Sequence, residues 1–130
     1  MADHPNLDLI RRGYAAYVSG DMDTINGLFA DDVVWHVAGK SVIAGDHKGK
    51  QEVFSLFGQL AELSGGTSTV EVHDLLANDE HCVAIVTETA TRNGTTGRFD
   101  AVHVLHVRNG KVTEFWDAHP EQQAADAFWS

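Results

Sequence analysis

The sequence predicts a mixed α+β fold in which a curved, mostly antiparallel sheet wraps around a long helix and encloses an apolar pocket. Three observations predict it. Apolar residues recur at helical spacing through residues 7–29 and again through 53–63. Four strand-like runs then follow one another, and Asn93-Gly94 and Asn109-Gly110 separate them as dipeptides suited to tight hairpins. One of those runs, residues 97–108, is apolar on both faces, with Ala101, Leu105 and Val107 on one side and Val102 and Val104 on the other. A sheet of that kind needs cover on each side.

Each element has its own signal. Leu7, Ile10, Tyr14, Tyr17 and Val18 form one helical face, with Asn6 as the expected cap and Gly20 as the stop. Asp21 is a good N-cap for a second helix that shows Met22, Ile25, Leu28 and Phe29. Asp31-Asp32 ends it, and Val33 to Val37 reads as the first strand because it is β-branched and aromatic. A loop over 39–49 follows, with a short strand expected at Val42-Ile43. Val53, Leu56, Phe57, Leu60 and Leu63 predict a third helix, stopped at Gly65-Gly66. Strands are expected over 67–77, 81–92, 97–108 and 111–118. Pro120 opens a last helix over 121–129, where its missing N–H costs nothing.

Composition bounds the function. The 130 residues are expected to form one domain, 43% hydrophobic and 22% charged, as in an ordinary globular protein. No apolar run nears the roughly 20 residues of a spanning helix and no signal pattern opens the chain, so no membrane association and a cytoplasmic location are expected. The net charge of −10, with scattered Lys and Arg, argues against a nucleic-acid partner and for a neutral or apolar ligand. Cys82, the only cysteine, sits in an apolar run and reads as a buried, inert thiol. Helices can cover only one side of the sheet, so the convex side is expected to meet a second copy in a homodimer.

Four segments carry a family resemblance: Ser19-Gly20-Asp21-Met22-Asp23, Leu28-Phe29-Ala30-Asp31-Asp32-Val33, Gly45-Asp46-His47-Lys48-Gly49 and Arg108-Asn109-Gly110-Lys111-Val112. In their order and spacing the chain resembles the SnoaL-like and ketosteroid-isomerase-like branch of the nuclear transport factor 2-like superfamily, over about residues 6 to 129. The resemblance implies the cone-shaped fold. It does not imply one reaction, since the fold hosts isomerases, cyclases, dehydratases and proteins without activity. Steroid isomerases of this branch carry a general-base Asp on the first long strand, where His36 falls here. They carry a neutral carboxylic acid on a later strand, where His103 falls, and a tyrosine on the first helix, for which Tyr14 and Tyr17 are the neighbouring candidates. With both carboxyl positions changed, steroid isomerisation itself is not expected.

Strand alternation assigns faces to the remaining candidates. His36 and Val34 share a face, taken as the pocket side, and Trp35 takes the other. For the Asn109-Gly110 hairpin two registers are open. A three-residue loop with a bulged glycine sets Phe115 opposite His103 and Asp117 opposite Ala101, bringing Asp117 to the pocket, whereas a two-residue turn would present Glu114 and Trp116. The family comparison favours the former, and it also puts Ala84, Val86 and Glu88 on the pocket face with Glu88 at the rim.

The expected pocket is therefore Val34, Phe54, Phe57, Ala84, Val86, Leu105 and Phe115. Its polar points are His36, His103, Asp117 and one of Tyr14 or Tyr17. A neutral imidazole can take and return a proton near neutrality, a carboxylate can fix its tautomer, and a tyrosine can polarise a carbonyl. No cofactor is needed for such chemistry, and no metal is expected, because His103 and His106 point to opposite faces. The expected ligand is a small hydrophobic molecule. The readings are a proton-transfer enzyme of isomerase, cyclase or dehydratase type, a protein that shelters a hydrophobic ligand, or a dimerisation domain. In the plainer alternative the histidines are only partly buried residues bonded to backbone.

Overall fold

The computed structural model of the protein describes residues 4–130. Helix α1 (Pro5–Ser19) begins where Nδ1 of His4 accepts the Asn6 amide, and ends on Gly20, whose φ of 77° is the left-handed stop that glycine allows. His4, not Asn6, is thus the cap. Asn6 is spent elsewhere, donating its side-chain amide to the carbonyls of Asn78 and Asp79. Helix α2 (Met22–Leu28) follows its cap Asp21, whose carboxylate accepts the Thr24 amide. Strand β1 (Phe29–Val37) begins at Phe29, earlier than its β-branched core suggested. The next strand, β2 (Gly45–Lys48), replaces the one expected at Val42-Ile43. Ile43 is instead buried beside Val37, Leu56 and Trp129, and a core contact takes precedence over local strand preference.

Helix α3 (Gly49–Ser64) stops on Gly65 at φ 60°. Then come β3 (Thr69–Ala77), β4 (His81–Arg92), β5 (Thr95–Arg108), β6 (Lys111–Ala118) and α4 (Gln122–Phe128). The six strands form one curved, unclosed sheet in the order β2-β1-β6-β5-β4-β3. Only β1 and β6 run parallel; every other pairing is antiparallel. No helix among the described residues is long and apolar enough to cross a membrane.

The β5–β6 hairpin decides what faces inward. Asn109 and Gly110 have φ of 52° and 73°, both left-handed, so the turn has two residues rather than three. Taken alone, that turn would turn Glu114 and Trp116 inward. The ladder slips between His106 and Val107, however, pairing Val107 with Val112 but His106 with Glu114 and leaving Thr113 as an extra residue. The slip restores Phe115 and Asp117 to the inner face, opposite Leu105 and His103. The face was read correctly, then, but the register differs by two residues, because a bulge does what a longer loop was expected to do.

The inner face packs against α1, α2 and α3 through Leu9, Ile10, Ile25, Phe29, Val33, Val53, Phe57, Leu105 and Phe115. Ala84, Val86 and Ala101 form a neighbouring patch under Tyr14. Cys82 is buried among them, and burial pushes its thiol up to about 11, so it stays protonated at neutral pH.

Candidate functional site

Between α1, α3 and the inner sheet face lies a cavity of about 720 Å³, its open mouth included. Its wall is apolar, with Leu9, Ile10, Leu28, Phe29, Trp35, Phe57, Leu60, Leu105 and Phe115, apart from one polar patch. That patch comprises Tyr14 and Tyr17 from α1, Glu88 from β4, His103 from β5 and Asp117 from β6. A second chamber of about 540 Å³ adjoins it under α4 and shares Tyr17, Trp35, Leu60, Val70, Glu88 and Asp117 with it. Largely apolar space with a few converging polar groups is the usual form of a small-molecule site.

Tyr14, His103 and Glu88 form one connected chain that runs on to His119. The Tyr14 hydroxyl lies 2.6 Å from His103 Nδ1, and on the other side of the ring Nε2 lies 2.7 Å from Glu88 Oε2. The second Glu88 oxygen lies 2.6 Å from His119 Nε2. Asp117 Oδ1 is 3.2 Å from His103 Nε2 yet accepts no hydrogen bond, because that N–H is committed to Glu88. Register explains the convergence, since His103 pairs directly with Asp117 on β6 and with Ala84 on β4.

The network sets its own ionisation. Burial pushes the His103 imidazole toward neutrality, but Tyr14, Asp117 and Glu88 outweigh it and hold His103 protonated well above its ordinary range. Burial would raise Glu88 as well, yet hydrogen bonds from His103 and His119 keep it ionised down to about 2. Asp117 goes the other way: burial, then the neighbouring Glu88 charge, raises it above an ordinary aspartate. His119 is depressed by burial and raised by the hydrogen bond to Glu88 and the charge of Asp117, with a net rise. Burial raises Tyr14 too, so its hydroxyl keeps its proton. Two carboxylates a few ångströms apart thus have separate parts, one a fixed anion and one able to titrate.

The structure brings together His103, Asp117, Tyr14, Tyr17, Glu88, Phe57, Leu105 and Phe115 around the first chamber. It leaves others out. His36 lies on the opposite face of β1, where Nδ1 meets Asp46 at 2.7 Å, Nε2 meets Glu114 at 2.6 Å, and the ring stacks on Trp116. Val34 lies on that same outer face. The inner face of β1 is the apolar set Val33, Trp35 and Val37, with Trp35 stacked on Phe115 at 3.5 Å between centroids. Placing His36 in the pocket is therefore corrected. The alternation of Val33, Trp35 and Val37 is the more apolar of the two, and it was the signal that could have shown this. Ala84 and Val86 do take the inner face but lie fully covered under Tyr14, and Phe54 packs against Phe29 and Phe57 away from the cavity wall.

One residue of the pocket face was given too small a part, and one was missed. Glu88 is no rim carboxylate but the bridge between two imidazoles, with a side chain 22% exposed. His119 was not singled out in the sequence. Nothing local marks it, because its partner lies 31 residues away. Glu88, His103 and Asp117 also present ligand atoms within 4.8 Å of one another, so these three could hold a cation. A cation there would have to displace the proton that His103 Nε2 gives to Glu88.

Comparison with known proteins agrees with this fold. The SnoaL-like domain is matched over residues 10–115. An uncharacterized protein of Mycobacterium tuberculosis is 32% identical over 131 residues, covering the whole of both chains. Among solved structures, a protein from a soil-derived mobile gene cassette is 36% identical and superposes with a TM-score of 0.93 over 96% of each chain. A Xanthomonas campestris protein of unknown function with a cystatin-like fold is 27% identical, with a TM-score of 0.90 over 95% of this chain and 97% of its own. The match spans most of the chain and takes in Tyr14, Tyr17, Glu88 and His103 of the polar patch: this protein belongs to the SnoaL-like domain family.

Proposed function

We propose that the protein is an enzyme that moves a proton on an apolar or polycyclic carbonyl or alcohol, in a reaction of isomerase, cyclase or dehydratase type. The observation that carries this reading is the Tyr14–His103–Glu88 chain, with Asp117 beside it, set into an otherwise apolar cavity. With His103 protonated, its Nδ1–H donates to the Tyr14 oxygen, leaving the tyrosine hydrogen free for a ligand carbonyl in the chamber. Negative charge developing on that oxygen is stabilised by a donor already in place and backed by a cation. Asp117 lines the same chamber and, with its affinity for protons raised, accepts the proton from the adjacent carbon. Glu88 stays anionic and holds the imidazole. Structural likeness to IdmH of Streptomyces antibioticus, proposed to be a polyketide cyclase, supports this class of substrate at the level of fold, at 18% identity and a TM-score of 0.76.

The test uses β-tetralone, an apolar bicyclic ketone, in deuterated buffer. Protein-catalysed exchange of its α-hydrogens, followed by proton NMR and lost in Asp117→Asn, is the expected result. Binding without exchange would favour the reading of a non-catalytic shelter for a hydrophobic ligand. Loss of exchange with chelator and its return with added divalent metal would replace the cofactor-free mechanism by one through Glu88, His103 and Asp117.

A further inference from the structure

The second chamber carries an inference of its own. Its wall joins apolar residues to Ser68, Thr89 and His119, with Glu88 and Asp117 shared with the first chamber. His119 has a side chain only 6% exposed, and its Nε2 is used by Glu88. Its Nδ1 is buried without a partner among the described residues. Buried polar atoms in folded proteins nearly always have a partner, so an orphan beside a cavity is a mark of recognition. The hydroxyls of Ser68 and Tyr17, 3.1 Å apart, add further polarity at the same end. The two chambers adjoin, since Glu88 and Asp117 and the apolar side chains of Trp35, Leu60 and Val70 line both.

We propose that one ligand spans both chambers: an elongated, fused-ring molecule with two oxygen functions at opposite ends, one met by Tyr14 and the other by His119. This rests on the proton-transfer reading for the Tyr14 end and adds a recognition site at the far end. His119 bonds a hydroxyl in either of its charge states. Protonated, its Nδ1–H donates to the hydroxyl oxygen; neutral, with Nε2–H given to Glu88, its Nδ1 accepts the hydroxyl hydrogen. A second hydroxyl therefore selects for the ligand, and an apolar far end leaves His119 unsatisfied. Discrimination of this kind is strong, because the cost falls on a buried polar group.

The experiment compares β-naphthol with the naphthalene diol that carries hydroxyls at opposite ends of the ring pair. Affinity is measured by titration calorimetry, and the imidazole nitrogens are followed by NMR in the wild-type protein. The diol should bind at least about tenfold tighter, and it alone should move the His119 ring signals, while both compounds move those of His103. His119→Phe should bring the affinity for the diol down to that for β-naphthol in the same variant. The ring NMR of the wild type decides the matter should that variant fold poorly. Equal affinity of the two compounds, or a His119 ring indifferent to the diol, would overturn the two-chamber ligand and leave the Tyr14 site standing. No binding of either compound at millimolar concentration would overturn both.

Discussion

His103 is the residue on which the site turns, and its predicted behaviour differs in kind from that of His36. Its ring is held by Tyr14, Glu88 and Asp117. His103→Ala leaves two buried carboxylates facing each other, and a loss of about 3–5 kcal/mol is expected in denaturant unfolding. His36→Ala removes half-exposed ion pairs with Asp46 and Glu114 on the outer face. It should cost no more than about 1 kcal/mol and leave β-tetralone exchange at the wild-type rate. Tyr14→Phe keeps the ring contact with His103 but loses the hydroxyl. It should cut exchange by about a hundredfold or more, and the unpaired His103 Nδ1–H should lower stability by about 1–3 kcal/mol, as a calorimetric scan can check. At this scale His103, Asp117 and the Tyr14 and Tyr17 pair were legible because residue type agreed with the position that the resemblance implies. His36 was misplaced because a strand offers two faces and the choice between them is set by packing.

Two details of individual elements determine the site. The extra residue Thr113 switches the inner face of β6 after a two-residue turn. Deleting Thr113 removes the bulge and lets the Val107–Val112 pair run straight into His106–Glu114, so Phe115 and Asp117 should stay inward and ligand binding should survive in a chain that retains its far-ultraviolet circular dichroism. Gly97 on β5 is the second. A Cβ there would stand 2.7 Å from the rings of Phe128 and Phe99, so β5 and α4 approach each other as only glycine allows. Gly97→Val should loosen α4 from the second chamber, lower stability by about 1–3 kcal/mol, and raise amide exchange in residues 122–128 before the rest of the chain. The turns and caps at Gly20, Asp21, Gly65, Asn93 and Asn109 were legible, since each follows from local chemistry. The bulge was not, because it answers to the pairing of two strands.

Charge sets the stability of the whole molecule against pH. His103 is more readily protonated folded than unfolded, so it adds stability that is complete below 6.5 and lost as pH rises through its higher folded value. His119 and His36 act in the same direction. Glu88 adds stability present above 4.5 and lost as pH falls toward about 2. Asp117, raised by burial, works against folding once it ionises. The expected melting profile declines on the alkaline side of neutrality, and this decline should flatten in His103→Gln. The outer face is the second feature of this scale. Val102, Val104, Trp116 and Ile85, the last 43% exposed, lie on the side of the sheet that no helix of the described residues covers. A symmetric dimer through this face is the proposed assembly. Sedimentation at micromolar concentration should show twice the chain mass, and Ile85→Asp should shift it to the monomer.

By itself the sequence determined the order of elements, most of their caps and the positions of the turns, and the family, and the resemblance then pointed to His103, Asp117 and the Tyr14 and Tyr17 pair. The elements rest on short-range rules, helical or strand period and turn chemistry, that a few neighbouring residues satisfy alone. Only the tertiary structure decided that Trp35 and not His36 looks inward, that Glu88 bridges two imidazoles, and that His119 belongs with them. Those outcomes depend on strands brought together from residues 37, 88, 103 and 117 of the chain, and on which arrangement leaves the fewest buried charges without a partner.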